Sequence, residues 1–448
     1  MIPALPTDRP SIVRLNAPAI ADAITDTTAP GSLLLNIHPD QVSILAAGTP
    51  ESVNAPGLPT PDQTIDLPGH LLIPALVNAH THLDLTHIGP VAHDPADGFV
   101  AWVDHIRANR RSTPEGIADS VRAGIGLSVA GGSVAVGDIA GAPAGRFSTT
   151  PARVLAASRL AGVSFLEFFG IGTTAPGAIE RLERFAREDL PEMLAEMEQT
   201  PVRFGLQPHA PNTVDLGVYR WVAALGARHG LPLSTHLGET IEEREFIRSG
   251  TGPQRAMLER FGFWDSSVLH HVGKGLHPVA HLGPVLRSHR VLCAHVNDAT
   301  DHAIAVLAGS GTPVVYCPRA SAYFGADRSF GPHRYRDMLS AGVRVCLGTD
   351  SIVNLDTPDR ISVLDEMRLL HRRDGTDRRT LLAMGTINGA AALGLSQAAV
   401  TLAPGPLAGL LALPIDAQGP RGAAGDPWAR AMSGNAPPTV LFLNRESF

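Results

Sequence analysis

Leu72-Ile73-Pro74-Ala75-Leu76-Val77-Asn78-Ala79-His80-Thr81-His82 is an apolar run that ends in two histidines. The run reads as a buried strand, and residues two apart on a strand face the same side. His80 and His82 therefore project together from the strand's end. A histidine pair at this spacing is a weak signal alone, because satisfied core or surface histidines show it too. Its weight depends on what ends the other strands.

Seven further apolar segments follow: Ser133–Asp138, Ser164–Phe169, Arg203–Pro208, Pro232–His236, Val291–His295, Pro313–Pro318 and Val343–Asp350. Helical patterns lie between them, for example Ile179 to Glu198 and Leu216 to His229. Eight strands alternating with helices predict a (β/α)8 TIM barrel over residues 73–396. The head, residues 1–72, has short strands at Ser32–Ile37 and Val42–Ala46. The tail, residues 397–448, has strands at Leu402–Leu413 and Thr439–Leu443, with Gln418 to Pro438 as a Gly/Pro/Ala-rich loop. The tail is expected to complete the β region begun by the head.

The chain has 448 residues, enough for one large domain and a smaller companion. Apolar residues make up 44% of it and aromatics only 5%, which suits buried parallel strands covered by helices. A net charge of −7 argues against nucleic acid as a partner. The three cysteines, Cys293, Cys317 and Cys346, are dispersed and each sits in a strand-like run, so no disulfide framework is expected. Met1 to Pro10 lacks the basic-then-apolar pattern of a signal peptide, and no apolar run suits a bilayer span. A cytoplasmic location without membrane contact is the expectation.

A TIM barrel carries its site at the C-terminal ends of its strands. Strand five ends in His236, strand six in His295 and strand eight in Asp350, each directly after an apolar run. Four such coincidences, with His80 and His82, are hard to obtain from structural histidines. Histidine and carboxylate ligands together suit Zn²⁺ or Fe²⁺, and three histidines with one aspartate leave a position for water. Glu239, three residues past His236, can serve as a proton shuttle, or as a charge at the start of the next helix. Strand four ends in Gln207-Pro208-His209, and the sole lysine, Lys274, lies in a Gly/His-rich loop. No carboxylated lysine can bridge two metals there, so a single metal ion is expected. His209 suits a substrate contact or a second layer of support equally well.

The set resembles the amidohydrolase superfamily in its mononuclear deaminase arrangement. The resemblance rests on Pro74 to Thr86, Pro208 to Val214, His236 to Glu239, His295, Cys317 to Arg319 and Gly348 to Ser351. Asn78 to Leu85, Cys317-Pro318-Arg319 and Gly98 to Val103 look most like the aminodeoxyfutalosine deaminase and chlorohydrolase-like group. Pro208-His209-Ala210-Pro211 also resembles S-adenosylhomocysteine and methylthioadenosine deaminases. Departures are Ala320 and Ser321 after Cys-Pro-Arg, Val296-Asn297-Asp298 after His295, and the loop from Trp264 to His289.

The resemblance implies a small β-sandwich built from both chain ends. It implies a metal, Zn²⁺ or alternatively Fe²⁺, held by His80, His82, His236 and Asp350. Asp350, His295 and Glu239 are implied as catalytic, and Glu167, His209 and Arg319 as substrate contacts. The implied activity is hydrolytic removal of ammonia from an aminated purine-type ring, first aminodeoxyfutalosine. Rival readings are S-adenosylhomocysteine, methylthioadenosine or guanine deamination, triazine-type chlorohydrolysis, and an inert barrel serving as a scaffold. The scaffold reading is disfavoured because every expected ligand is present. The partner is a small molecule, and a homodimer is the commonest closed assembly.

Overall fold

The run from Leu72 to Asn78 does not stay in one sheet. His70–Pro74 forms a strand of a four-stranded sheet, and Leu76–Thr81 opens an eight-stranded parallel sheet. The change falls at Ala75, whose N–H donates to Gly409 O, while the next N–H, of Leu76, donates to Gly132 O. The run expected as a single strand is thus two, because its neighbours on either side of Ala75 belong to different sheets. The computed structural model describes residues 5, 9–39, 41–415 and 425–448.

The eight parallel strands, β1 to β8, are Leu76–Thr81, Ser133–Ala140, Ala161–Phe168, Val202–Pro208, Leu233–Leu237, Val291–His295, Val314–Tyr316 and Val345–Leu347. They pair in chain order with helices around them, as a (β/α)8 barrel requires. β1, β2 and β3 are buried along their whole length, with interior and helix-facing residues alike removed from water. β7 and β8 are shorter than the apolar runs around them. Cys317 ends the first by capping a helix, Pro318–Tyr323.

The barrel closes at the end of β1. His80 O accepts from the N–H groups of both Thr349 and Asp350, at 3.1 Å each. Asn78 and Thr349 exchange two more bonds: Asn78 Nδ2 donates to Thr349 Oγ1 at 2.8 Å, and Thr349 N donates to Asn78 Oδ1 at 3.1 Å. Gly348 lets the strands approach this closely. A Cβ there would stand 2.9 Å from both the Cβ and the carbonyl oxygen of His80.

Both chain ends build the small sandwich. A five-stranded sheet carries Ser11–Ala17, Gly31–His38, Gln41–Gly48, Gln63–Asp66 and Gly405–Pro406, and the four-stranded sheet carries Ala19–Ile20, His70–Pro74, Gly409–Pro414 and Thr439–Leu443. Val13, Leu15, Leu33, Leu35 and Ile65 of the first sheet share one core with Leu72, Leu410, Ala412 and Phe442 of the second. Full burial of each such large side chain contributes about 1.5–3 kcal/mol.

Two helical expectations need correction. Ile179 to Glu198 is not one helix but Ala175–Glu188 followed by Leu190–Glu198. Pro191 has no N–H to offer the carbonyl of Arg187, so the helix restarts there. The stretch Gln418 to Pro438 contains a helix, Pro427–Ser433, capped by Asp426 accepting from Trp428 N. Residues 418–424 of that expectation lie outside the described residues. The three cysteines are free and buried. Among the described residues, no helix is long and apolar enough to cross a membrane.

Gly348→Ala should push β8 off His80. The expected result is a destabilisation of about 1–3 kcal/mol, seen in denaturant titration, together with weakened metal binding.

Candidate metal centre

His80, His82 and His236 place ring nitrogens within 4.8 Å of one another, and His80, His295 and Asp350 do the same with nitrogens and a carboxylate oxygen. Asp350 Oδ1 lies 3.2 Å from His82 Nε2 and 3.6 Å from His80 Nε2. His236 Nε2 is 3.4 Å from His82 Nε2. Each group comes from its own strand end: β1, β5, β6 and β8.

The local chain explains the aim of each ring. His236 Nδ1 donates to the carbonyl of His209 at 2.9 Å, which leaves Nε2 unprotonated and turned into the mouth. Asp350 keeps its second oxygen, Oδ2, as acceptor for Asn354 Nδ2 at 2.5 Å. Asp350, His295 and Val296 have positive φ angles of 57°, 69° and 50°. Residues other than glycine avoid this region, at a cost of order 1–3 kcal/mol each, so the strain collects where the site needs side chains re-aimed.

The donors fit a single divalent metal. His80 is fully buried, yet neither of its ring nitrogens makes a hydrogen bond, and its one charged neighbour there, Asp350 Oδ1, stands 3.6 Å from Nε2. A buried imidazole without partners is costly, and a metal ion satisfies it. Lys274 is exposed, and β4 ends without a lysine, so a bridging carboxylated lysine is excluded.

The charges diverge across a few ångströms. Burial raises the carboxyl of Glu239 well above its usual range, and the negative charge of Asp350 adds to it. Burial opposes the charge of Asp350 too, but its contacts with His80 and His82 outweigh that and hold it well below the carboxylate range. Burial pushes the imidazole of His295 down to about 3, so it stays neutral. Its Nε2 stands 3.6 Å from Glu239 Oε1.

On the far wall, Glu167 Oε1 is buried without a hydrogen-bond partner and lies 4.0 Å from His209 Nε2. His209 Nδ1 bonds Thr213 Oγ1 at 2.7 Å, which fixes the ring. On the other side of the mouth is a cavity of about 200 Å³ whose lining includes His93, Phe99, Glu239, Phe324 and Phe330.

Arg319 is not brought to this site, contrary to the sequence expectation. Its Nε donates to the buried Glu366 at 2.5 Å, its Nη1 to Asp356 and Thr357, and its Nη2 to Ser362 O. It stands at the start of the Pro318–Tyr323 helix and faces the helix Val363–Asp374, so its donors are already used. The cation beside Glu167 is instead Arg110, with Nη1 3.9 Å from Glu167 Oε2. Arg110 also donates through Nε and Nη2 to Asp84 Oδ2. Nothing in its local sequence, Ala108-Asn109-Arg110-Arg111, marks it. It ends a helix and reaches the barrel only because Gly141 leaves room for its guanidinium.

The amidohydrolase family model matches residues 71–439. The chain belongs to the amidohydrolase family. It is a hydrolase acting on C–N bonds. It is 28% identical over 358 residues to the aminodeoxyfutalosine deaminase of Deinococcus radiodurans, covering 79% of each chain. It is 27% identical over 357 residues to the 5-methylthioadenosine/S-adenosylhomocysteine deaminase of Pyrococcus furiosus, covering 76% of this chain and 74% of that one. Among solved structures, an adenosine deaminase from Xanthomonas campestris with bound zinc shares the fold at a TM-score of 0.65 and 20% identity, over 91% of this chain and 86% of that one.

Chelation should abolish turnover, and about one equivalent of divalent metal per chain should restore it, as counted by elemental analysis. Glu366→Ala, which strands the Arg319 guanidinium, should destabilise the fold by about 3–5 kcal/mol, read as a shift of the denaturant midpoint at unchanged slope.

Proposed function

We propose that this amidohydrolase is a metal-dependent deaminase of an aminated purine-type ring, with aminodeoxyfutalosine as the first substrate to test. The observation that carries this reading is Glu239: a buried carboxyl whose Oε1 stands 3.6 Å from His295 Nε2 beside the cluster of His80, His82, His236 and Asp350, and whose pKa burial raises well above its usual range. Such a set can both take and give protons at neutral pH. The names of the relatives support a 6-aminopurine nucleoside as the substrate class.

His80, His82, His236 and Asp350 would hold the metal, for which zinc is the first expectation. The metal supplies Lewis acidity that makes water nucleophilic at neutral pH. Asp350 is the ionised base that receives the water's proton. Neutral His295 holds the attacking oxygen by a hydrogen bond. Glu239 gives its proton to the ring nitrogen beside the carbon under attack, which makes that carbon electrophilic. Water adds there, the C–N bond to the exocyclic amine breaks as the added hydroxyl becomes a ring carbonyl and returns its proton to Glu239, and the proton held by Asp350 passes to the amine, which leaves as ammonia. Glu167 and His209 meet the substrate from the opposite wall, with Arg110 Nη1 3.9 Å from Glu167 Oε2.

The test is ammonia release from a panel of aminodeoxyfutalosine, methylthioadenosine, S-adenosylhomocysteine, adenosine and guanine, with chloride release from a chlorotriazine measured beside it. Release from an adenine-ring nucleoside supports the reading, turnover confined to guanine overturns the nucleoside substrate class, and turnover confined to the triazine overturns the deaminase reading itself. Glu239→Gln should keep its metal and lose about 10²–10⁴-fold in kcat. The acid must be protonated to act. Its raised pKa therefore extends activity upward in pH, and kcat should fall as pH rises through that value.

A further inference from the structure

Resting on the reading of Glu239 as proton donor, we propose that Glu243, Asn297 and Ser321 are positioning residues that clamp the Gly238-Glu239 elbow and so hold the Glu239 carboxyl against His295. After β5 the chain turns sharply through Gly238, which has φ of 60°. All four backbone polar groups of these two residues are engaged. Glu243 Oε1 accepts from Gly238 N at 2.9 Å, and Oε2 accepts from Glu239 N at 2.8 Å. Asp298 N donates to Gly238 O at 2.9 Å. Asn297 Nδ2 donates to Glu239 O at 3.0 Å, and Ser321 Oγ donates to Asn297 Oδ1 at 2.7 Å.

This is more than the capping of a helix. Thr240 caps the helix Ile241–Ser249 by accepting from Glu243 N. In a capping box the Glu side chain would return to the N–H of Thr240 itself. Here it reaches past that residue and binds the two before it. Its burial is nearly complete, at 2% exposure, so the two bonds are shielded from water.

The clamp draws on three strand ends. Glu243 follows β5, Asn297 and Asp298 follow β6, and Ser321 follows β7. Asp298 is itself held by Arg244 and, at 3.0 Å, by His277 from the loop between Trp264 and His289. Val296-Asn297-Asp298, Ser321 and that loop are the segments that departed from the family pattern. In this chain they converge on one elbow.

The experiment uses the full, metal-loaded protein with Asn297→Ala, Ser321→Ala and Glu243→Gln, and Ser321→Thr as the conservative variant. Asn297→Ala and Glu243→Gln should lower kcat about tenfold or more with KM within about twofold, because a misplaced donor costs rate and not binding. Metal content should be unchanged, the alkaline limb of kcat should move, and Ser321→Thr should recover most of what Ser321→Ala loses. Metal-replete variants that keep kcat within about twofold, or lose it with the alkaline limb unmoved, would overturn the clamp. If Glu243→Gln does not fold, Ser321→Ala carries the test, since it lies two hydrogen bonds from Glu239. Infrared titration of the Glu239 carboxyl, assigned by difference against Glu239→Gln, needs no substrate. If the parent deaminates nothing while that titration shifts in Asn297→Ala, the deaminase reading fails and the clamp stands. If the titration is unmoved, the clamp fails whatever the substrate.

Discussion

The carbonyl of His80 accepts two backbone hydrogen bonds, from Thr349 and Asp350, and the first strand is joined to the eighth through them. A barrel that is not closed leaves an edge of unpaired N–H and C=O groups. Here the closing bonds lie between the residues whose side chains face the metal position. Closing the sheet and assembling the ligands are one event. Asn78, Thr349 and Thr81 add a side-chain layer to the seam, Thr81 Oγ1 donating to Asp350 O at 3.0 Å. The seam leaves Asp350 at positive φ and aims its carboxylate at His80 and His82.

From that seam the site acquires three protonation states within a small volume. The same burial acts on Asp350, His295 and Glu239, but their neighbours differ. Asp350 faces imidazoles and stays ionised. His295 gains little from its surroundings and stays neutral. Glu239, buried and near the charge of Asp350, has its carboxyl pushed well above the usual range. Pairs of titratable groups whose environments push them apart are what acid–base chemistry at neutral pH requires.

Much of this was legible in the sequence because it depends on local pattern. Eight apolar runs alternating with helical patterns specify the barrel, and those that end in His or Asp mark the strand tips that meet at one face. Leu216–His229 is a helix with the expected bounds, because its amphipathic pattern ends at a glycine, Gly230, in the left-handed conformation. What was not legible depends on distant partners. The strand switch at Ala75 is set by Gly409 and Gly132, far away in the chain. Arg319 sits in a motif that suggests an anion contact, but Glu366 from the next helix takes its donors. Arg110 has no motif at all. Its position depends on the missing side chain of Gly141. The roles of Asn297 and Ser321 arise only when strands six and seven lie side by side.

The crossing at Ala75 also bears on how the molecule is made. The strand His70–Pro74 runs directly into β1, but its partner Gly409–Pro414 is made only after all eight barrel strands. Until then its ordered neighbour in that sheet is the two-residue strand Ala19–Ile20. The root of the first barrel strand is therefore anchored only after the eight barrel strands have been made, and the seam at its tip also waits for β8. Both ends of the strand that carries His80 and His82 are fixed late. A growing chain consequently cannot present a finished metal site before β8 and Gly409–Pro414 have both been made.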